Sequence, residues 1–381
     1  MKNPDNFGFY RIGDFKFYSK LEAMEYHRKS GWGPHWDFNE AVFSSMDWTQ
    51  EPAETLEDLY CQRAQQLRDE YDHLVLWYSG GADSDNVLHS FINNDIKLDE
   101  VASFVNYEAT KEKINFLNAE IYEVASEKIL QAKLKQPDLT HRIVDLCQPT
   151  IDEFQNKESK FDWIYHFHSI ITVNAVARQR LPLAVKEWRD MFEQGKKVGF
   201  IFGAEKPRIS QTSSGNYVFK FLDVLDTMVS AGAQIRNDPW DNPEFFYWTP
   251  DCPKIVIKQA HILKKYLKYA DTTSHWMTKI KVDLASKQIN GKTWCISMDG
   301  VHSLIYPNWQ PVLYQFKPKS PLFSPRDNWF MKMNDSEDSW QIWRNGLEKR
   351  WQAVDDYWKN DVDDMSKGYV SSWSREYNLG F

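Results

Sequence analysis

The chain has 381 residues, of which 42% are hydrophobic and 26% are charged, with a net charge of −8. Its length and apolar content suffice for one large domain or two ordinary ones, and its acidic balance argues against a protein that coats nucleic acid through bulk electrostatics. The four cysteines are scattered without a CxxC pair, which argues against a cysteine zinc site and a disulfide framework.

Residues 1–54 predict a small aromatic-rich α+β module. The run FGFYRIGDFKFYSK has two aromatic segments on either side of Gly13-Asp14, a pattern typical of a β-hairpin. The following LEAMEYHRKSG predicts a short helix that ends at Gly31. The Trp-rich stretch 31–52 has no clear period, and we predict that it is a loop.

Residues 55–240 predict an α/β core, because strand and helix patterns alternate along them. The helix TLEDLYCQRAQQLRDEY has Thr55 as its N-cap and Asp58 three residues later, as in a capping box. Buried strands are predicted at HLVLWY, DEVASFVNYE, THRIVDLCQP (closed by Pro149) and KKVGFIF. The helices between them include KINFLNAEIYEVASEKILQAKL and DWIYHFHSIITVNAVARQRLP. The alternation predicts a parallel twisted sheet with helices on both faces.

Residues 241–381 predict a mostly helical C-terminal extension. The aromatic loop at 245–253 favours a role in covering the core, with stacking on substrate or adenine as the alternative. The next helix, IVIKQAHILKKYLKYA, is amphipathic and basic, which suits either a solvated face or a wall for an anionic substrate such as nucleic acid. The tail 368–381 either folds back over the site or frays.

The chain is predicted to be a soluble protein of the cytoplasm with reduced cysteines. Its first residues, Met-Lys-Asn-Pro-Asp, have no apolar signal core. It also lacks any run of about 18 apolar residues, so we expect no membrane partner.

A glycine-rich loop separates the first core strand from the next helix: Tyr78 is followed by Ser79-Gly80-Gly81-Ala82-Asp83-Ser84. Two glycines allow a sharp turn and close approach of a ligand, and a helix N-terminus attracts anions. Asp83 would repel a phosphate unless a cation lay between them, and Mg²⁺ bridging Asp83 and a polyphosphate would resolve that conflict. The alternative is that Asp83 only caps its own helix. The sequence contains neither GxxxxGK[ST] nor GxGxxG.

A strand that ends in Ser-Gly-Gly-x-Asp-Ser and leads into a helix resembles the PP-loop ATP pyrophosphatases, the adenine nucleotide alpha-hydrolase-like superfamily. All six motif positions match, and the resemblance covers the core at about residues 73–210. It implies that Mg²⁺ and ATP are bound and that ATP is cleaved to AMP and pyrophosphate. A substrate oxygen would attack the α-phosphate, and ammonia, an amine or a sulfur nucleophile would then attack the adenylylated carbon.

The resemblance also implies roles for individual residues. Asp83 would serve Mg²⁺, and the groups in contact with pyrophosphate would be Ser79, Gly80, Gly81 and Ser84. From topology alone, we expect Tyr78, Asn106 and Tyr107 to flank the nucleotide.

A second charged loop follows the fourth strand, at Gly203–Arg208. We expect it to gather with Ser79–Ser84 and Asn106–Glu108 at one rim, because ligands of parallel sheets lie beyond the carboxyl ends of the strands. Lys206 and Arg208 could neutralise charge on the α-phosphate or the leaving pyrophosphate, and Glu205 could bind Mg²⁺ or orient the nucleophile. The alternative is a solvated charged loop.

These patterns predict an AMP-forming ligase that activates a small-molecule or nucleobase substrate for amide or C–N bond formation. The nearest analogy is an asparagine-synthetase-like domain that lacks the glutaminase, since the chain begins Met-Lys. Three alternatives stay open: a tRNA or DNA modification enzyme that uses the same adenylylation, a sulfur transferase that uses Cys147 or Cys252, and a nucleotide sensor without catalysis.

Overall fold

The structure, a computed structural model, describes most of the chain in eleven segments. These are residues 3–105, 120–155, 185–203, 205–223, 243–269, 281–289, 292–309, 312–315, 330, 338–354 and 372–381. The predicted helix at 162–182 lies outside them.

The N-terminal module contains the predicted hairpin and helix. Strands β1 (Phe9–Ile12) and β2 (Phe15–Phe17) pair antiparallel through a turn in which Gly13 has a φ of 59°. Helix α1 (Lys20–Ser30) ends at Gly31, which adopts the left-handed conformation and bonds back to the His27 carbonyl. Glycine takes this conformation without the steric cost of a Cβ atom, which explains the correct helix end.

The prediction that residues 31–52 form only a loop is wrong. Strand β3 (His35–Asp37) pairs antiparallel with β1, and a short helix α2 (Glu40–Phe43) follows it. Buried Trp36 packs on Tyr10 of β1, with 4.8 Å between ring centroids. A strand of three residues is too short to show a period in sequence, so tertiary pairing determines it.

The central sheet has five parallel strands in the order β10-β7-β4-β5-β6. Four of them lie within the predicted stretches: β4 (His73–Trp77), β5 (Glu100–Val105), β6 (Thr140–Asp145) and β7 (Val198–Phe202). The prediction that β6 is buried is wrong, because it is an edge strand of the sheet and its side chains are exposed or half-buried. The fifth, β10 (Pro243–Phe245), lies beyond residue 240, where the sequence predicted the extension, yet it pairs with β7.

Helices flank this sheet in a mixed α/β arrangement. They are α3 (Leu56–Glu70), α4 (Ala82–Ile92), α5 (Ser126–Lys135, preceded by a π-helical turn Glu120–Ala125), α6 (Cys147–Gln155) and α7 (Lys186–Glu193). The capping box of α3 forms as predicted between Thr55 and Asp58. The prediction that β6 runs on to Pro149 is wrong, because the strand ends at Asp145 and Pro149 lies in the first turn of α6, where proline is tolerated.

The prediction of a mostly helical extension also needs correction. Helices α8 (Lys254–Tyr269), α9 (Gly300–Ile305) and α10 (Asp338–Val354) are present. Between them, however, β11 (Lys281–Ile289), β12 (Lys292–Asp299) and β13 (Val312–Gln315) form an antiparallel sheet. Strand formation depends on how side chains pack against their neighbours, so these strands are weakly encoded in local patterns even though β11 and β12 are separated by only two residues.

The described part of the tail, residues 372–381, does not fray. Strand β14 (Tyr377–Gly380) pairs with β9 (Tyr217–Phe219), which in turn pairs with β8 (Ile209–Gln211). Tyr377 and Leu379 of this strand are buried. Burial of these apolar side chains stabilises the end of the chain against the core.

Many aromatic side chains of the described segments lie in the interior. Trp36, Trp188 and Trp248 are fully buried, and the predicted cover loop contributes buried Phe245 and Phe246. Arg63 and Glu244 form a buried ion pair at 2.7 Å that links α3 to β10. No helix in the described segments is long and apolar enough to cross a membrane.

Candidate functional site

The strand order creates a switch point between β4 and β7. The chain runs from β4 to β5 and β6 on one side, and then returns to place β7 on the other side of β4. Crevices at such switch points, beyond the carboxyl ends of the strands, are where parallel sheets bind ligands. The glycine-rich loop follows β4 and the charged loop follows β7, so both predicted loops lie at this crevice.

The glycine-rich loop makes a tight turn into α4. Gly80 has a φ of 77°, in the left-handed region that favours glycine. The Ser79 Oγ accepts from the Gly81 backbone N–H at 3.3 Å, and the Ser84 Oγ donates to the Gly81 carbonyl at 3.2 Å. Helix α4 begins after Gly81 with no side-chain cap, and the first backbone N–H groups of a helix have no partner within it.

Asp83, in the first turn of α4, is the most heavily contacted acid of the site. The Lys206 ammonium donates to both carboxylate oxygens, at 3.0 and 2.9 Å. The Tyr306 hydroxyl donates to Oδ1, and the His302 Nε2 lies 3.5 Å from the same oxygen. Burial alone would raise the pKa of Asp83, but the charge of Lys206 and the contacts with His302 and Tyr306 hold it well below its usual range. The acid is therefore ionised at neutral pH.

A stack of three aromatic rings contacts Asp83. The rings of His302, Tyr306 and Tyr247 stack in that order, with 5.4 Å between successive ring centroids. The Tyr247 hydroxyl donates to the Asp83 carbonyl at 2.8 Å and accepts from the Asn86 amide at 3.0 Å. The stack brings α9, more than 200 residues away in the chain, against the glycine-rich loop.

Tyr78 and Asp85 form a second polar group under the loop. The Tyr78 side chain is buried, and its hydroxyl donates to Asp85 Oδ1 at 2.7 Å. The Lys128 ammonium donates to Asp85 Oδ2 at 2.7 Å and lies 3.4 Å from the Gly80 carbonyl oxygen. Tyr78, predicted to flank a nucleotide, therefore has its hydroxyl directed to Asp85.

The charged loop after β7 approaches α4 closely. An added Cβ at Gly203 would lie 2.8 Å from the Asp83 carbonyl oxygen, so only glycine fits there without displacement. Arg208 lies 3.7 Å from Glu205, and both side chains are partly exposed. Of the predicted residues in the two loops, Lys206 contacts Asp83 directly. Asn106 and Tyr107 lie outside the described residues.

Sequence reasoning missed four residues of this site, Asp85, Lys128, His302 and Tyr306, while Tyr247 belongs to the aromatic loop 245–253, for which stacking on substrate or adenine was the alternative prediction. None of them belongs to the glycine-rich motif at Ser79–Ser84. One signal was available, since His302 and Tyr306 are four residues apart and such residues share a face where the backbone is helical.

Several cations of the basic helix α8 form ion pairs or hydrogen bonds within the protein. Lys258 and Lys265 pair with Glu51 at 2.8 and 2.5 Å, and Lys264 donates to the Leu379 carbonyl at 2.5 Å. His261 is buried against the Trp48 carbonyl. Lys258, Lys264 and Lys265 are therefore paired within the protein, although Lys265 stays 62% exposed.

The two cysteines named for sulfur transfer are poorly suited to nucleophilic attack. Cys147 is buried at the start of α6. Burial raises the pKa of the Cys252 thiol, although nearby Arg63 opposes the shift. A thiol with a raised pKa holds its proton at neutral pH, and the thiolate is the nucleophilic form.

The donor chemistry of the crevice fits magnesium. Asp83 and Glu205 supply carboxylates, and Ser79 and Ser84 supply hydroxyls, which are the hard oxygen ligands that Mg²⁺ takes. In the part of the chain that the structure describes, no three His, Cys, Asp or Glu side chains are grouped to hold a metal on their own. A site of one or two carboxylates completed by substrate phosphates is the usual arrangement for Mg²⁺.

Comparison with known proteins leaves the family unassigned. No protein-family model matches the chain. No curated protein matches it either. The PP-loop resemblance therefore depends on the glycine-rich motif and the α/β core around it.

Proposed function

We propose that the chain binds Mg·ATP at Ser79–Ser84 and cleaves it to AMP and pyrophosphate. A carboxylate or carbonyl oxygen of the substrate would attack the α-phosphate, forming the adenylylated substrate as pyrophosphate leaves. A nitrogen nucleophile would then displace AMP and form an amide or related C–N bond. The observation that carries the proposal is the contact between Asp83 and Lys206 across the β4/β7 crevice.

The contact supports the proposal because it joins opposite charges from both predicted loops at one point. Asp83 and Lys206 are 30% and 29% exposed, so a ligand in the crevice can reach both side chains. In the proposed complex, the Lys206 ammonium turns from the carboxylate to a phosphate oxygen, where its charge favours departure of pyrophosphate. Asp83, with Glu205 in the neighbouring charged loop, would hold the magnesium ion, which supplies charge neutralisation to the phosphates.

The backbone of the loop supplies the remaining phosphate contacts. The turn at Gly80 and the uncapped first turn of α4 offer N–H donors, and the Ser79 and Ser84 hydroxyls lie 3.4 Å apart at the same place. Such a cradle binds a polyphosphate through fixed dipoles, which cost little reorganisation.

A nucleotide sensor is the second candidate. It is favoured by the number of protein groups on Asp83, since Lys206, Tyr306 and His302 together hold the carboxylate in place. A site that only binds would keep these contacts and release no pyrophosphate.

The test is pyrophosphate and AMP release from Mg·ATP by the purified chain and by Asp83→Asn. Reactions would contain no addition, ammonium, pooled amino acids, nucleosides, or tRNA or DNA. Release that depends on one pool and disappears in Asp83→Asn supports the proposal and identifies the substrate class. ATP binding without release in any pool supports the sensor, and absence of ATP binding rejects both.

A further inference from the structure

Lys128 is a cation at the glycine-rich loop to which the proposed reaction assigns no role. Its ammonium lies 2.7 Å from Asp85 Oδ2 and 3.4 Å from the Gly80 carbonyl oxygen. The side chain is 24% exposed, so it is held by the protein and still open to a ligand. A lysine in this position can exchange a protein oxygen for a phosphate oxygen without a change in the backbone.

The π-helical turn Glu120–Ala125 brings this lysine to the loop. A Cβ atom added at Gly80 would lie 3.1 Å from the Ala125 Cβ, which shows how closely the turn approaches. Lys128 follows three residues later, in the first turn of α5. Single π-helical turns commonly occur at functional sites, because the extra residue redirects the side chains that follow.

Lys128 and Lys206 approach the loop from opposite sides. Strand β4 lies between β5 and β7 in the sheet. Lys128 belongs to the connection after β5, and Lys206 belongs to the loop after β7. Each pairs with an acid of the first turn of α4: Lys128 with Asp85 and Lys206 with Asp83.

The charges at the start of α4 indicate a function for Lys128. Two carboxylates at the start of α4 oppose the approach of a polyphosphate, and two ammonium groups cancel their charge. Asp85 also accepts from the Tyr78 hydroxyl, so it keeps a hydrogen bond when Lys128 turns away. The ammonium is then available for a phosphate oxygen beside Gly80.

We infer that Lys128 is the second polyphosphate-binding cation of this site, acting from the β5 side as Lys206 acts from the β7 side. This inference rests on the proposed function for the location of the phosphates. It adds a residue that binds the phosphates directly, in a segment that the glycine-rich motif does not include.

The experiment measures binding of ATP, inorganic pyrophosphate and adenosine by calorimetry, with Mg²⁺ present. The variants are Lys128→Gln, the matched control Lys135→Gln on the same helix, and the double variant Lys128→Gln with Asp85→Asn. Lys135 donates to the Asn93 side chain at 3.0 Å, away from the loop. Thermal unfolding of each variant checks that the fold is retained.

We expect Lys128→Gln to bind ATP and pyrophosphate about 10- to 100-fold more weakly, because a charged hydrogen bond is lost. Adenosine binding and the Lys135→Gln control should change less than about twofold, within the scatter of surface substitutions. The double variant should stay weak, because removal of the carboxylate charge at position 85 cannot replace a direct phosphate contact.

Two results would overturn the inference. One is unchanged pyrophosphate binding in Lys128→Gln. The other is recovery of binding in the double variant, which would mean that Lys128 only neutralises Asp85. Failure of the proposed reaction is distinguishable: if the wild-type chain binds pyrophosphate and Lys128→Gln does not, the inference stands even when no ATP is cleaved.

Discussion

The Lys206 ammonium donates to both carboxylate oxygens of Asp83, which ties the loop after β7 to the first turn of α4. This pair joins two segments that are more than 120 residues apart and that meet because β7 returns to the other side of β4. The crevice between them is therefore formed by the sheet topology, and its charge is set by a pair that a ligand can reach.

Lys206→Met should reduce activity much more than stability. The methionine keeps most of the side-chain length and removes the charge, so we expect pyrophosphate release to fall by about a hundredfold or more. The pair is partly exposed, so the free energy of unfolding should fall by only about 1 kcal/mol or less. Steady-state assays and urea unfolding measure the two effects, and equal loss of activity in a surface variant such as Lys135→Gln would contradict the assignment.

Protonation of Asp83 should make the protein less stable in acid. Its pKa in the folded chain lies below the ordinary value of 3.8, so the folded state loses its proton more readily than the unfolded state. The resulting stabilisation is complete above about pH 5 and declines as the pH falls further. The difference in unfolding free energy between wild type and Asp83→Asn should therefore shrink between about pH 5 and about pH 2.5. A difference that stays constant over this range would show that the carboxylate charge is not stabilising.

His141 should produce a second pH effect, in a milder range. Burial, with a smaller contribution from Lys133, lowers the pKa of His141 from 6.5 to about 4. Its Nε2 bonds Ser103 Oγ at 3.1 Å, and that hydroxyl donates to the Tyr78 carbonyl at the start of the glycine-rich loop. Between those two pKa values the unfolded chain binds a proton that the folded chain does not, so stability falls as the pH drops from 6.5 toward 4.

The matched variant for this effect is His141→Gln, which keeps a side-chain donor and does not titrate. We expect it to lose less unfolding free energy than the wild type between about pH 7.5 and about pH 4.5, as measured by urea unfolding. Parallel curves for the two proteins would rule out His141 as the source.

Gly203→Ala should disturb the site by displacing backbone atoms. The added Cβ would lie 2.8 Å from the Asp83 carbonyl oxygen, so either β7 or the first turn of α4 must shift. We expect a loss of about 1–3 kcal/mol in unfolding free energy, together with weaker ATP binding. Gly33→Ala is the control, since no atom lies within 4 Å of the position that its added Cβ would take. Similar losses in the two variants would argue against a steric cause.

Thr55→Ala should reduce stability without affecting the site. The Thr55 hydroxyl accepts from the Asp58 backbone N–H at 3.1 Å, and the Asp58 carboxylate accepts from the Thr55 backbone N–H at 3.1 Å. Loss of this cap should cost about 1 kcal/mol in unfolding free energy. Thermal unfolding and ATP binding measured on the same sample would show whether the two properties separate as expected.

The sequence alone determined the elements whose signals are local. The buried strands β4, β5 and β7, the capped start of α3 and the end of α1 at Gly31 lie where they were predicted, because periodicity and capping act within a few residues. The glycine-rich loop could be identified for the same reason, since its turn and the helix after it are encoded by adjacent residues.

The packing of the whole chain determines which distant groups share the crevice. Strand β10 pairs with β7 although it lies beyond residue 240, and the three residues of β3 pair with β1. Lys128, His302 and Tyr306 reach the loop from segments that carry no recognisable motif. Sheet pairing and ion pairs depend on distances in space, and these distances arise from the packing of the whole chain, which a local pattern does not encode.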